Sequence, residues 1–107
     1  MLNQKQLALD VITLWPHEFR PEFDLYVMEN WPVYVAFEQR ALRVAKYRTH
    51  YSARTIAEVI RHDTAIGEIG GDYKINNNFI PDLARLFALM NPKRAGLFTF
   101  RVHKAAA

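Results

Sequence analysis

Five prolines fall where apolar stripes at helical spacing start or stop, and their placement decides what this chain can build. Proline lacks the backbone N–H and clashes with the preceding turn, so it is tolerated in the first turn of a helix and ends one elsewhere. Pro16 closes a stretch in which Leu7, Val11, Leu14 and Trp15 recur at helical spacing, with Asn3 placed to cap it. After a bend through His17 to Arg20, Pro21 opens a short helix that carries Phe23, Tyr26 and Val27 and ends near Asn30. Asn30 in turn caps a longer helix with Pro32 in its first turn and Val33, Phe37, Ala41 and Val44 inward. A helix without proline follows, with Ser52, the single serine, as its cap and Ile56, Val59 and Ile60 inward. Pro81 sits in the first turn of a last helix carrying Ile80, Leu83, Phe87 and Met90, which Asn91-Pro92 ends.

Two places leave the helical period. Past Ala65, Gly67, Gly70 and Gly71 break helix, and Tyr73 and Ile75 alternate with Lys74 as in a short strand. After a turn at Gly96, Phe98, Phe100 and Val102 alternate with Thr99 and Arg101, the pattern of a strand with one buried face. Pairing these two segments predicts a mainly α fold with a small two-stranded antiparallel β-sheet. The short turn from about Arg48 to Tyr51 joins its two helices as a pair, so the layout reads as helix-turn-helix-like or winged-helix-like.

A chain of 107 residues, half of them hydrophobic, fits one globular domain with a real core, expected over residues 1–104. The triplet Ala105 to Ala107 is of the kind left where a coding sequence is joined to a purification tag, and carries no functional weight. No cysteine is present, which excludes disulfides and thiolate zinc sites and suits a reducing, cytoplasmic setting. No apolar run approaches the roughly 20 residues that span a bilayer, and Met1 to Trp15 lacks the plan of a signal peptide, so no membrane association is expected.

Charge is unevenly spread. Residues 1–39 sum to −4, with Asp10, Glu18, Glu22, Asp24, Glu29 and Glu38 outweighing Lys5 and Arg20. Residues 40–62 sum to +5, with Arg40, Arg43, Lys46, Arg48, Arg54 and Arg61 against Glu58 alone. A basic block of this kind is either a solvated helix face balanced by the acidic segment or a surface for an anionic partner. As phosphate contacts, Arg40, Arg43, Lys46, Arg54 and Arg61 would form one set, with Arg94, Arg101 and Lys104 as a second flank.

The run Asn76-Asn77-Asn78 joins the first strand-like segment to the last helix. Asparagine accepts left-handed backbone angles and caps helices, so three in a row make a turn and a cap unaided. The same exposed amides at a helix start would also suit a phosphate or an adenine edge. Two features oppose groove reading by the last helix. Roughly fifteen residues separate it from the serine-capped helix, against the few of a helix-turn-helix turn. Beyond Asp82 and Arg85 it also offers mainly apolar side chains.

Enzyme readings have less support. Asp72-x-Lys74 matches the carboxylate and lysine of a metal-dependent nuclease, but it lacks an upstream acidic ligand and an α/β core. His17, His50, His62 and His103 show no pair at zinc spacing on one helix and read as lone surface histidines. Ser52 has no nucleophile elbow around it, and no phosphate-binding glycine loop occurs. No enzymatic activity, cofactor or metal is therefore expected.

Asn30 with Trp31-Pro32-Val33-Tyr34, Tyr51-Ser52-Ala53, Glu58-Val59-Ile60-Arg61, Tyr73 to Asn78, Ala84-Arg85-Leu86, and Leu97-Phe98 ahead of Arg101 follow one another in a recognisable order. Over about residues 19–102 the chain resembles a family of small uncharacterised proteins found in phages, prophages and bacterial genomes. That resemblance implies a mobile-element origin and no particular chemistry. With the charge map, it leads to the expectation of a non-enzymatic phage-type accessory protein that binds DNA or RNA. In that reading, Arg40, Arg43, Lys46, Arg54 and Arg61 contact phosphates and Asn76, Asn77 and Asn78 position the backbone or a base. The alternative is a protein-binding modulator of a host factor, using the acidic segment with Trp15, Phe19, Phe23, Tyr26, Trp31 and Tyr34. Oligomeric state stays open, a homodimer included.

Overall fold

The computed structural model of this chain describes residues 3–65 and 75–100. Five α-helices carry the architecture: α1 (Gln4–Leu14), α2 (Phe23–Glu29), α3 (Trp31–Ala45), α4 (Ala53–Ala65) and α5 (Ile80–Met90). Short 3₁₀ segments occupy Pro16–Glu18, Asn77–Phe79 and Pro92–Leu97. Four of the five prolines, Pro16, Pro32, Pro81 and Pro92, stand at the first or second position of a helical segment, whereas Pro21 lies in the turn ahead of α2 and does not open that helix.

Caps are built locally. Asn3 accepts from the backbone N–H of Lys5 at 2.9 Å and of Gln6 at 3.4 Å, and Ser52 Oγ accepts from Thr55 N–H at 3.2 Å. Asn30 behaves differently from the expected cap of α3. Its amide donates backward to Tyr26 O at 3.1 Å, so it closes α2 and caps nothing ahead of it. Pro21 and Glu22 form a tight turn in which Phe23 N–H donates to Arg20 O at 3.2 Å and Glu22 takes φ 73°. Proline followed by a residue at positive φ is the pattern of a type II turn.

The inward faces follow the apolar stripes with one shift. On α1 the buried residues are Ala8 and Ile12, while Leu14 and Trp15 point outward. On α3, Val33, Phe37 and Ala41 are buried as the spacing predicts, joined by Tyr34. The helix α5 is covered almost all round: Ile80, Leu83, Ala84, Leu86 and Phe87 are buried, and so are Asp82 and Arg85. It packs against α1, α3, α4 and the 3₁₀ segments at both its ends, which makes it the axis of the core. Its buried carboxylate is met by the turn before α2. Asp82 Oδ1 accepts from Arg20 N–H at 3.2 Å, Asp82 Oδ2 lies 3.5 Å from Arg20 Nε, and Glu18 Oε2 lies 3.8 Å from Arg85 Nε. Two crossed ion pairs thus fasten the turn to α5.

The expected two-stranded sheet is corrected: no strand or sheet occurs among the described residues. Phe98 does take an extended backbone, φ −106° and ψ 145°. Its alternation with Phe100 has another cause, because the Phe98 ring enters the core beside Phe37 and Phe87, at 5.6 and 5.5 Å between centroids. Phe100 lies under the Arg85 guanidinium at 5.3 Å. The neighbouring Leu97 carbonyl accepts from Tyr51 N–H at 2.9 Å, so this stretch is held by a helix–helix loop and not by a ladder. The other expected strand, around Tyr73, and the residues Arg101 and Val102 lie outside the described residues. A winged-helix layout is corrected with the sheet. Helix α5, buried on nearly every side, has no free face to place in a groove. Helices α3 and α4 do pack as a pair, joined by the loop 46–52.

A candidate cationic cleft

Three segments meet at one end of the molecule: the last turn of α3, the loop 46–52 and the 3₁₀ segment Pro92–Leu97. Tyr51 to Leu97 is their backbone link, and Phe98 anchors the far segment in the core. Asn91 fixes it as well, closing α5 by donating to Phe87 O at 3.1 Å and to Glu38 Oε2 on α3 at 3.1 Å. Between the loop and the 3₁₀ segment runs a cleft of about 270 Å³. Arg48, Thr49 and His50 line it from the loop, Lys93 and Arg94 from the 3₁₀ segment, and Ala45, Gly96 and Leu97 complete the lining. Its lining carries Arg48, Lys93 and Arg94, the polar side chains of Thr49 and His50, a larger apolar share, and no carboxylate.

The surroundings extend the same sign. Arg43 lies in the last turn of α3, Lys46 follows that helix, and Arg54 stands in the first turn of α4. Arg43, Lys46, Arg48, Arg54, Lys93 and Arg94 are exposed and carry no ion pair among the described residues. Unneutralised cations on neighbouring segments raise the local potential for an anion.

The other expected site residues lie elsewhere or are already engaged. Arg40 is half-buried on α3. Arg61 reaches from α4 to the asparagine turn, donating to Glu58 Oε1, to Asn77 Oδ1 and, at 3.5 Å, to Ile75 O. Asn76 Oδ1 accepts from Asn78 N–H at 2.9 Å and Phe79 N–H donates to Asn76 O at 2.9 Å, which closes the turn into α5. Phe79 then packs against Tyr26 and Phe23, at 4.8 and 5.5 Å between ring centroids. Burial pushes the Tyr26 phenol above its usual range, against the opposing pull of the Asn76 backbone and Arg61. The run therefore spends two of its three side chains on holding the α4–α5 junction, and only Asn78 keeps an exposed amide without such a task. Arg94 joins the cleft, and Arg101 lies outside the described residues.

Sequence reasoning passed over Arg48 as a site residue, took His50 for a lone surface histidine and left Lys93 unremarked. Their signal was weak, because the two cleft walls come from segments far apart in sequence and nothing local announces that they meet. A hint stood in the charge count, where Arg48 already belonged to the basic block.

In the acidic N-terminal segment, Phe19, Phe23 and Tyr34 are core residues and Tyr26 and Trp31 pack on the core, so most of the aromatic set is interior. What remains outward is Leu14, Trp15, Leu25 and Met28. No group of three or more histidine, aspartate or glutamate side chains converges to hold a metal among the described residues, and none of the described helices is long and apolar enough to cross a membrane. Comparison with protein-family models, with curated proteins and with solved structures finds no match for this chain.

Proposed function

We propose that this chain is a small non-enzymatic nucleic-acid-binding accessory protein of a phage or other mobile element, acting in the cytoplasm. The observation that carries this reading is a cleft lined by Arg48, Lys93 and Arg94, with Arg43, Lys46 and Arg54 exposed on the adjoining helix ends, none of the six in an ion pair among the described residues. Exposed cations without ion pairs on neighbouring segments raise the local potential, and such a surface suits a polyanion. Arg61 belongs to the scaffold of that surface, since it ties α4 to the turn ahead of α5.

Phosphate contacts release counterions, so affinity falls steeply with salt. With about six contacts, binding to mixed-sequence DNA and RNA should weaken by about a thousandfold between 50 and 200 mM salt. Fluorescence anisotropy measures this directly. Reversing Arg43, Lys46 and Arg54 to glutamate should abolish binding and leave the circular dichroism spectrum unchanged. Affinity that ignores salt, or no binding even at the lowest salt, would overturn the reading and turn attention to a protein partner at Leu14, Trp15, Leu25 and Met28.

A further inference from the structure

We propose that the cleft seats one unpaired nucleotide of a single strand, with Arg48, Lys93 and Arg94 on its phosphate and Tyr47 stacked on its base. The inference rests on the nucleic-acid reading above and narrows it to strand type.

Shape is the first ground. A recess of about 270 Å³ lies near the lower end of ligand pockets, with room for a single nucleotide and none for a duplex. A duplex presents its phosphates on a convex rod with the bases turned inward, whereas an unpaired nucleotide protrudes and can enter a concave site. The lining matches the parts of such a unit. Arg48 from one wall and Lys93 and Arg94 from the other would take the phosphate, Thr49 and His50 offer hydrogen-bonding groups to the sugar and phosphate oxygens, and Ala45 and Leu97 give apolar contact.

Tyr47 is the second, independent ground. It is 83% exposed, more than any other large hydrophobic side chain described, in a protein whose aromatic rings otherwise mostly build the core. It stands in sequence between Lys46 and Arg48; Arg48 lines the cleft and Tyr47 itself does not, so the base it takes would lie outside the recess that holds the phosphate. An aromatic ring left in water among cations is the arrangement that single-strand binders use, the ring taking a base face while the cations track the backbone. A duplex keeps its bases stacked on one another and gives Tyr47 nothing to hold.

The test compares one oligonucleotide sequence as single-stranded DNA, as single-stranded RNA and as blunt duplex, at one fixed low salt, on four proteins: wild type, Tyr47→Ala, Tyr47→Phe and Gly96→Leu. Gly96 lines the cleft and a Cβ added there meets nothing within 4 Å, so the backbone leaves open space for a larger side chain, and melting curves verify that each variant folds. Single strands should bind about tenfold tighter than duplex. Tyr47→Ala and Gly96→Leu should each lose about tenfold on single strands and leave duplex binding unchanged, and Tyr47→Phe should keep wild-type affinity. Equal binding of strands and duplex, unaffected by Tyr47→Ala and Gly96→Leu, would overturn the seat and leave the nucleic-acid reading standing. Absence of binding to every oligonucleotide would overturn both.

Discussion

Glu22 holds a backbone conformation that its own side chain opposes. At φ 73° and ψ 0° it occupies the left-handed region, where an L side chain crowds the following carbonyl at a cost of roughly 1–2 kcal/mol. The turn survives because its surroundings over-determine it. Pro21 fixes the preceding angle, Phe23 N–H closes onto Arg20 O, and Arg20 and Glu18 are pinned to Asp82 and Arg85 of α5. Glycine would relieve the strain, at the cost of more entropy in the unfolded chain and one fewer carboxylate near the start of α2. The balance favours Glu22→Gly by about 0.5 kcal/mol, a rise of about 2–4 °C in melting temperature for a domain of this size. Glu22→Val, with a β-branched side chain at the same angle, should melt below wild type by a larger margin. Differential scanning calorimetry of the three proteins should give the order glycine, glutamate, valine. The same order in a peptide lacking α5 is not expected, because the clamp that imposes the angle would be gone.

Among the elements, the middle of α3 and the end of α5 are joined by one polar knot. Tyr34 donates to Glu38 Oε2 at 2.9 Å, and the same oxygen accepts from Asn91 at the end of α5. Burial first, then the charge of Glu38 and the hydrogen bond to it, hold the Tyr34 phenol far above the usual tyrosine range. The native state therefore keeps a proton that the unfolded chain releases above about pH 10. The stabilisation is fully present below that pH and is lost as pH rises through it, and the raised Tyr26 adds in the same direction. Urea midpoints should fall progressively above about pH 10, and Tyr34→Phe should flatten that fall while costing about 1 kcal/mol at neutral pH. Helices α1, α3, α4 and α5 were legible in the sequence because their starts are written locally, in Asn3, Pro32, Ser52 and Pro81. The strand was misread for an equally physical reason: alternation of Phe98 and Phe100 records which ring enters the core, and an extended backbone satisfies that without a partner strand. Asn30 shows the same limit on a smaller scale, since one amide between two abutting helices can serve either, and the sequence does not say which. The cleft as a recess was not legible, although Arg94 and the basic block holding Arg48 were, because Arg48 and Lys93 become neighbours only when α5 turns the chain back across α3.

At the scale of the whole molecule, α5 makes the fold interdependent. It touches α1, α3 and α4, while α2 packs on α1 and α3, so no helix can leave without uncovering apolar surface on the others. The buried set draws on all five helices and on Leu97 and Phe98 beyond them. Such an arrangement has no seam along which part of the chain could melt first, and small domains without a seam unfold as one unit. The two tryptophans supply the means to check this, since both lie in the first third of the chain, far in sequence from α5. Trp15 is 52% exposed, whereas Trp31 stacks on Tyr34 at 5.4 Å and reports on the core. In a Trp15→Phe variant, thermal unfolding followed by Trp31 fluorescence and by far-ultraviolet circular dichroism should give one superimposable transition. Leu83→Ala on α5, about 2–4 kcal/mol destabilising, should then lower both midpoints by the same amount, although it lies on a different helix from the reporter. Separated midpoints, or a shift in the dichroism that Trp31 does not share, would mean that α2 and α3 hold together without α5, and the central place given to that helix would have to be withdrawn.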